Sequence, residues 1–364
     1  MTAGSAPGRA ADRVRTIFLG SGAFAVPIFE AVAAHPRLDL VGVVTAPDRP
    51  AGRGKLLRPT PVALKARSTW APLLQPVRLR DDEAVARVAD LRPELGVLAD
   101  YGQIVPASIL DLPRFGILNV HPSLLPRHRG ATPIAATIAE GDTRTGVTVI
   151  RMDAGIDTGP IVAQEGWDLD GSEAAPALEA VAARRGAELL ARTIGPWVDG
   201  ALGARPQGEG ATLTRTLRRA DGRLDPGLPA AVLERHVRAH AGWPGSFVET
   251  DRGRVLVHRA SVAEGLADDA AGTLVRHGRG LAVTTGDGRL VLEEAQLPGG
   301  RSMTGEELLR GRPELEGARV TGGAAGAGAA AGAGAALGAG AAPGARGEEM
   351  PEPAPEPVAG STTE

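Results

Sequence analysis

The chain has 364 residues, 23% of them charged, and its 40 Lys and Arg against 43 Asp and Glu give a formal net charge of −3. Residues 346–364 hold one Arg and five Glu, so residues 1–345 are nearly balanced, at 39 basic against 38 acidic; a nucleic-acid partner would have to be met by local patches and not by a wholly basic body. No cysteine is present, which excludes disulfides, thiolate metal sites and a cysteine nucleophile and fits a cytoplasmic protein.

Residues 1–13 lack the apolar core of a signal peptide and read as a disordered leader. RTIFLG (15–20) is a short apolar strand, Ser21-Gly22 a turn, and the spaced apolar residues from Phe24 to about Ala34 suit a helix. LDLVGVVTA (38–46), LGVLA (95–99) and GILNV (116–120) read as further buried strands, with helical patterns near 61–68 and 82–91. This alternation predicts an α/β domain, residues 14–203, built on a doubly wound, mostly parallel sheet.

TGVTVIRMD (145–153) and PIVAQEGWDL (160–169) are extended runs joined by a Gly-rich turn, and an Ala-rich helix over about 173–195 closes the domain. Residues 204–212 look like a linker to a second domain, 213–319. Its first helix lies in DPGLPAAVLERHVRAH, with Asp225 as N-cap and Pro226 in the first turn. Four short alternating stretches, 254–260, 272–277, 280–285 and 289–297, then suggest a small β-barrel. From 320 to 364 the chain is almost all Gly, Ala, Pro and Glu, too poor in large apolar side chains to offset the entropy of ordering or to span a membrane.

The residues that carry chemistry cluster where strands should end. Asn119 and His121, two apart on one strand, share a face, and Asp157 sits in the turn between the two later strands. The carboxyl edge of such a sheet is where ligands are held. Taken singly, an Asn before a turn usually bonds backbone, a His near an apolar strand is usually structural, and an Asp in a Gly-rich loop usually makes an Asx-turn. GSGAF (20–24) invites a dinucleotide reading, but Ala25 stands where the fingerprint needs its third glycine, and Thr45-Ala46-Pro47 offers no acidic residue after the second strand.

The wording around these residues goes further. Asn119-Val120-His121, Ser123-Leu124-Leu125-Pro126 and Asp153-Ala154-Gly155-Ile156-Asp157-Thr158-Gly159-Pro160 together resemble the signature of the N10-formyltetrahydrofolate-dependent formyltransferases. FLGSGAFAVP (18–27), APDRPAGRGK (46–55), YGQIVP (101–106), DGRLD (221–225) and GWPGSFVE (242–249) resemble the methionyl-tRNA formyltransferases within that superfamily, over about 15–312. The resemblance implies a Rossmann-like catalytic domain and an OB-like C-terminal domain that binds tRNA. It implies transfer of the formyl group of 10-formyltetrahydrofolate to the α-amino group of methionyl-initiator tRNA, with no metal and no membrane partner.

On that reading Asn119, His121 and Asp157 are catalytic, and Ser123, Leu124, Leu125 and Pro126 face the folate donor. Arg49, Arg53, Lys55 and Arg58, in the basic stretch PDRPAGRGKLLRP (47–59), meet tRNA. Arg127, His128 and Arg129 are further candidates for phosphate or for the folate glutamate tail. Formyl transfer passes through a tetrahedral species with negative charge on oxygen, so it needs hydrogen-bond donors, as an amide and an imidazole can supply, and a carboxylate to orient the ring and relay protons. The competing acceptor is a small amine, such as a sugar nucleotide or glycinamide ribonucleotide; the basic stretch and the second domain argue for tRNA. A monomer is expected.

Overall fold

The computed structural model describes residues 13–51, 56–266 and 270–321. Most of the expected leader and tail, together with Arg53 and Lys55 of the basic stretch, lie outside the described residues. The apolar runs of the first half assemble into one seven-stranded sheet. Its order is Leu73–Leu74, Leu38–Val44, Val14–Gly20, Leu95–Ala99, Ile117–His121, Arg144–Arg151, Ile161–Asp168. The first five strands run parallel, and the last two close the edge as an antiparallel pair.

Both faces of this sheet are covered, which is why its central strands are mostly apolar. On one face Phe18, Leu118, Val120, Val147 and Val149 pack with Ile28, Phe29, Leu178, Leu190 and Ile194 from the helices Ala25–Ala34 and Ala175–Val198. Phe18 and Phe29 meet edge to face, with ring centroids 5.3 Å apart. On the other face Ile17, Leu19, Leu98 and Ile117 pack with Val88 and Ile109 of the helices Asp82–Asp90 and Ala107–Leu110. Among the described residues no helix is long and apolar enough to cross a membrane.

The second half forms a six-stranded antiparallel sheet in the order Ser246–Thr250, Gly253–Ala263, Arg289–Gln296, Gly280–Thr284, Leu274–His277, with Ser302–Thr304 added beside Arg289–Gln296. Backbone bridges from Val320 to Thr250 and from Arg319 to Thr273 join its two edges, so the sheet closes on itself around Val248, Val255, Val257, Leu281, Leu290 and Leu292. The helix Gly305–Gly311 was not anticipated, although its start carries a readable signal: Thr304 accepts from the Glu307 N–H and the Glu307 side chain accepts in return.

Asp225 does not cap a helix. It accepts the Gly227 N–H at 3.0 Å in a local turn, and the helix begins at Ala230, immediately after Pro229. The second proline sets this boundary, because the residue before a proline is driven out of helical conformation. That helix, Ala230–Ala239, packs against Pro133–Ala139 of the first domain, and its Arg235 and Arg238 donate to the carbonyls of Ala139 and Glu173.

At the end of the same helix His240 is buried beside His236, with ring centroids 5.6 Å apart. Burial, and then the charge of His236, push its imidazole down to about 4, against the opposing pull of Asp221. The folded protein therefore binds fewer protons at this position than the unfolded chain between pH 6.5 and 4, and stability falls as pH drops through that window. The loss amounts to up to roughly 3 kcal/mol. A His240→Leu variant is expected to lose less stability than the parent between pH 7 and 4.5 in denaturant titrations. Parallel slopes for the two proteins would exclude the assignment.

Candidate active site

The strand Ile117–His121 is buried along its whole length, and its side chains alternate between faces. Leu118 and Val120 enter the helix-covered core, which places Asn119 and His121 on the opposite face, where the strand ends. Both are almost fully buried, at 6% and 5% exposure. Beyond the strand the chain folds back, so that the His121 ring Nε2 lies 2.8 Å from the carbonyl of His128. A carbonyl can only accept, so Nε2 carries a proton, and Nδ1 is the nitrogen that faces Asp157.

Asp157 reaches this pair from the loop between the last two strands. Its Oδ1 accepts from Asn119 Nδ2 at 3.0 Å, its Oδ2 accepts from the Gly130 N–H at 2.8 Å, and the same Oδ2 is 3.6 Å from His121 Nδ1. The three expected catalytic residues are thus brought together. The loop is shaped by Asp153, whose Oδ1 accepts from the Gly155 N–H and the Thr158 hydroxyl. It is shaped also by Gly159, where a Cβ would stand 1.9 Å from the carbonyl oxygen of Arg151. Asn119 keeps one N–H beyond the bond to Asp157, and a protonated His121 offers Nδ1–H, so two donors can face a developing oxyanion beside a carboxylate.

The Ser123–Pro126 loop lies directly beside the pair, with many of its polar groups engaged internally. The Ser123 hydroxyl donates to the Arg127 carbonyl, the Leu125 N–H donates to Thr148 Oγ1, and the Leu125 carbonyl accepts from Gln164. Arg127, His128 and Arg129 are not free side chains. Arg127 is bidentate to Asp142 and also binds Glu140, buried His128 bonds Asp142 at 2.7 Å, and Arg129 binds Gln207. Burial pushes the Asp142 carboxyl up, but the bonds from His128 and Arg127 outweigh it and hold the group at about 2. His128, Glu140 and Asp142 bring three possible metal-ligand atoms within 4.8 Å of one another, with the carboxylates already paired to Arg127 and His128.

Arg49 and Arg58 face each other as register partners in a hairpin, Arg49–Ala51 with Leu56–Arg58, while Arg53 and Lys55 fall outside the described residues. The hairpin is tethered at its far end by the Thr60 hydroxyl, 2.7 Å from that of Thr45. In the Gly20–Phe24 turn, a Cβ on Gly22 would stand 1.6 Å from the Asp100 carboxylate, so a side chain there would require Asp100 to turn away.

Two contributors escaped sequence reasoning. Gly130 supplies a backbone donor to Asp157, and Gln207, in the stretch read as a linker, donates to the carbonyls of Asp157 and Gly159. A lone amide in a polar connection carries no periodic or motif signal that could have found it.

A family model for formyl transferase matches residues 13–194, and one for the formyl transferase C-terminal domain matches residues 216–313. A methionyl-tRNA formyltransferase of Roseiflexus castenholzii is 44% identical over 300 residues, which cover 82% of this chain and 96% of that protein. One from Chloroflexus aurantiacus is 42% identical over 301 residues, covering 82% of this chain and 97% of that protein. Among solved structures, HypX from Aquifex aeolicus in complex with tetrahydrofolic acid shares the fold at a TM-score of 0.55 and 15% identity, over 82% of this chain and 47% of that one. The chain spans about half the length of HypX.

Proposed function

The chain belongs to the formyl transferase family, carrying both its catalytic and its C-terminal domain, and from this premise we propose that it transfers the formyl group of 10-formyltetrahydrofolate to the α-amino group of methionyl-initiator tRNA. One observation carries the chemistry: Asn119, His121 and Asp157 converge within hydrogen-bonding and ion-pairing distance at the carboxyl edge of the sheet. The amine nitrogen attacks the formyl carbon, a C–N bond forms, and the carbonyl electrons move to oxygen. The Asn119 Nδ2–H and the Nδ1–H of a protonated His121 ring donate to that oxygen. Asp157 receives the proton lost by the amine and passes one to the folate nitrogen as the second C–N bond breaks, which balances the transfer. An α-amine with a pKa of roughly 7.7–8.0 is already partly neutral near pH 7, so no covalent enzyme intermediate is needed.

The Ser123–Pro126 loop lies against the donor. The second domain, 213–319, holds tRNA, and the basic stretch with Arg49, Arg53, Lys55 and Arg58 meets its acceptor end through phosphate contacts. The protein acts as a monomer.

Purified protein supplied with 10-formyltetrahydrofolate and a panel of acceptors tests donor and acceptor together. Formylation of charged initiator tRNA, with uncharged tRNA and small amines inert, is the expected result. Preference for an amino-sugar nucleotide or for glycinamide ribonucleotide would move the protein to the small-amine branch of the family.

A further inference from the structure

Residues 195–215 lie between the two stretches matched by the family models. Gln207, within this segment, has its amide fully used. Its Nε2 donates to the carbonyls of Asp157 at 2.7 Å and Gly159 at 2.8 Å, while its Oε1 accepts from Arg129 Nε at 3.0 Å and Nη2 at 2.8 Å. Two carbonyls on one side and two guanidinium donors on the other leave a single sensible orientation for the amide.

The backbone that Gln207 grips is unusual. Asp157 has φ of 50°, a left-handed conformation that a residue with a Cβ adopts only in a minority of cases and that persists when its surroundings determine it. The same segment reaches the carboxylate from its other end. Thr212 and Thr214 accept the Arg129 and Ala131 N–H groups, and Leu213–Thr214 pairs with Arg129–Gly130. Gly130 is the residue whose N–H holds Asp157 Oδ2. Reciprocal backbone bonds between Arg205 and Ile161, at 2.7 and 2.9 Å, anchor the segment to the sheet edge beyond the loop.

We propose that the interdomain segment is the positioning device of Asp157, with Gln207 as its principal positioning residue. Gln207 fixes the backbone from which the carboxylate projects, and the Leu213–Thr214 strand fixes Gly130, one of the two donors that aim it. The inference rests on the reading of Asp157 as the proton-handling group of the formyl transfer.

Two variants separate positioning from simple tethering. Gln207→Glu keeps an isosteric acceptor for Arg129, and so keeps the tether, but cannot donate to the two carbonyls; Gln207→Leu removes both. Steady-state kinetics with both substrates are expected to show kcat lowered about 10- to 100-fold in each variant, with KM values within about threefold of the parent. Hydrogen exchange of the peptide covering 153–160 is expected to quicken in both. Wild-type kcat in Gln207→Glu, or unchanged exchange of that peptide in both variants, would overturn the proposal. The exchange measurement needs no turnover. If the parent protein fails to formylate tRNA, that failure falls on the proposed function, and the exchange result still decides whether Gln207 holds the loop.

Discussion

Asp157→Asn is expected to lower kcat about 10³-fold, within the range for loss of a positioned general acid–base group. The carboxylate accepts from Asn119 Nδ2 through one oxygen and from the Gly130 N–H through the other. An asparagine offers only one acceptor oxygen, so its NH₂ must face one of those two donors, and it cannot take up the proton shed by the attacking amine. Volume is conserved, so the fold should survive. Single-turnover formylation with charged initiator tRNA, run beside a tRNA-binding titration, measures the effect. Binding is expected to stay within about threefold of the parent, since only interactions specific to the transition state are lost. A rate within tenfold of the parent would remove Asp157 from the proton path.

The second large effect is expected at His121. Truncation to Ala removes the ring whose Nδ1 faces Asp157 and leaves the His128 carbonyl without the donor that now sits 2.8 Å away. Loss of one donor to a developing oxyanion costs roughly 10²–10³ in kcat, and the unpaired buried carbonyl adds a stability loss of about 1–3 kcal/mol. Rates measured well below the melting temperature separate the two. Because His121 and Asp157 act on one reacting centre, the double variant should be little slower than the slower single variant. Multiplicative losses in that cycle would show the two groups working independently, contrary to the proposed mechanism.

Much of the first domain was legible because its strands obey short-range rules. Mainly apolar runs such as LGVLA and GILNV marked strands covered on both faces, and the step of two from Asn119 to His121 put both on one face. The features missed were those in which a neighbour overrides local preference. Asp225 has the chemistry of an N-cap, yet Pro229 moves the helix start and leaves Asp225 in a turn. Arg127 and Arg129 look like exposed cations beside a ligand site, yet Asp142, Glu140 and Gln207 claim them from other parts of the chain. The hairpin Arg49–Ala51 with Leu56–Arg58 lies inside a stretch whose prolines and glycines argue against strand.

The sequence by itself determined the longer strands of the first domain, which face of the Ile117–His121 strand carries polar groups, and that an aspartate follows in a Gly-rich turn. Those properties depend on a repeat of two residues and on the conformational freedom of glycine, both local. Only the tertiary structure decided that the Asp157 carboxylate swings onto Asn119 and His121, and that Gln207, 50 residues further along, clasps the loop that carries it. That convergence depends on the antiparallel turn-back of the last two strands, the left-handed backbone at Asp157 and hydrogen bonds between distant segments. No local pattern encodes these, because each partner's chemistry is satisfied equally well by water until the fold excludes it.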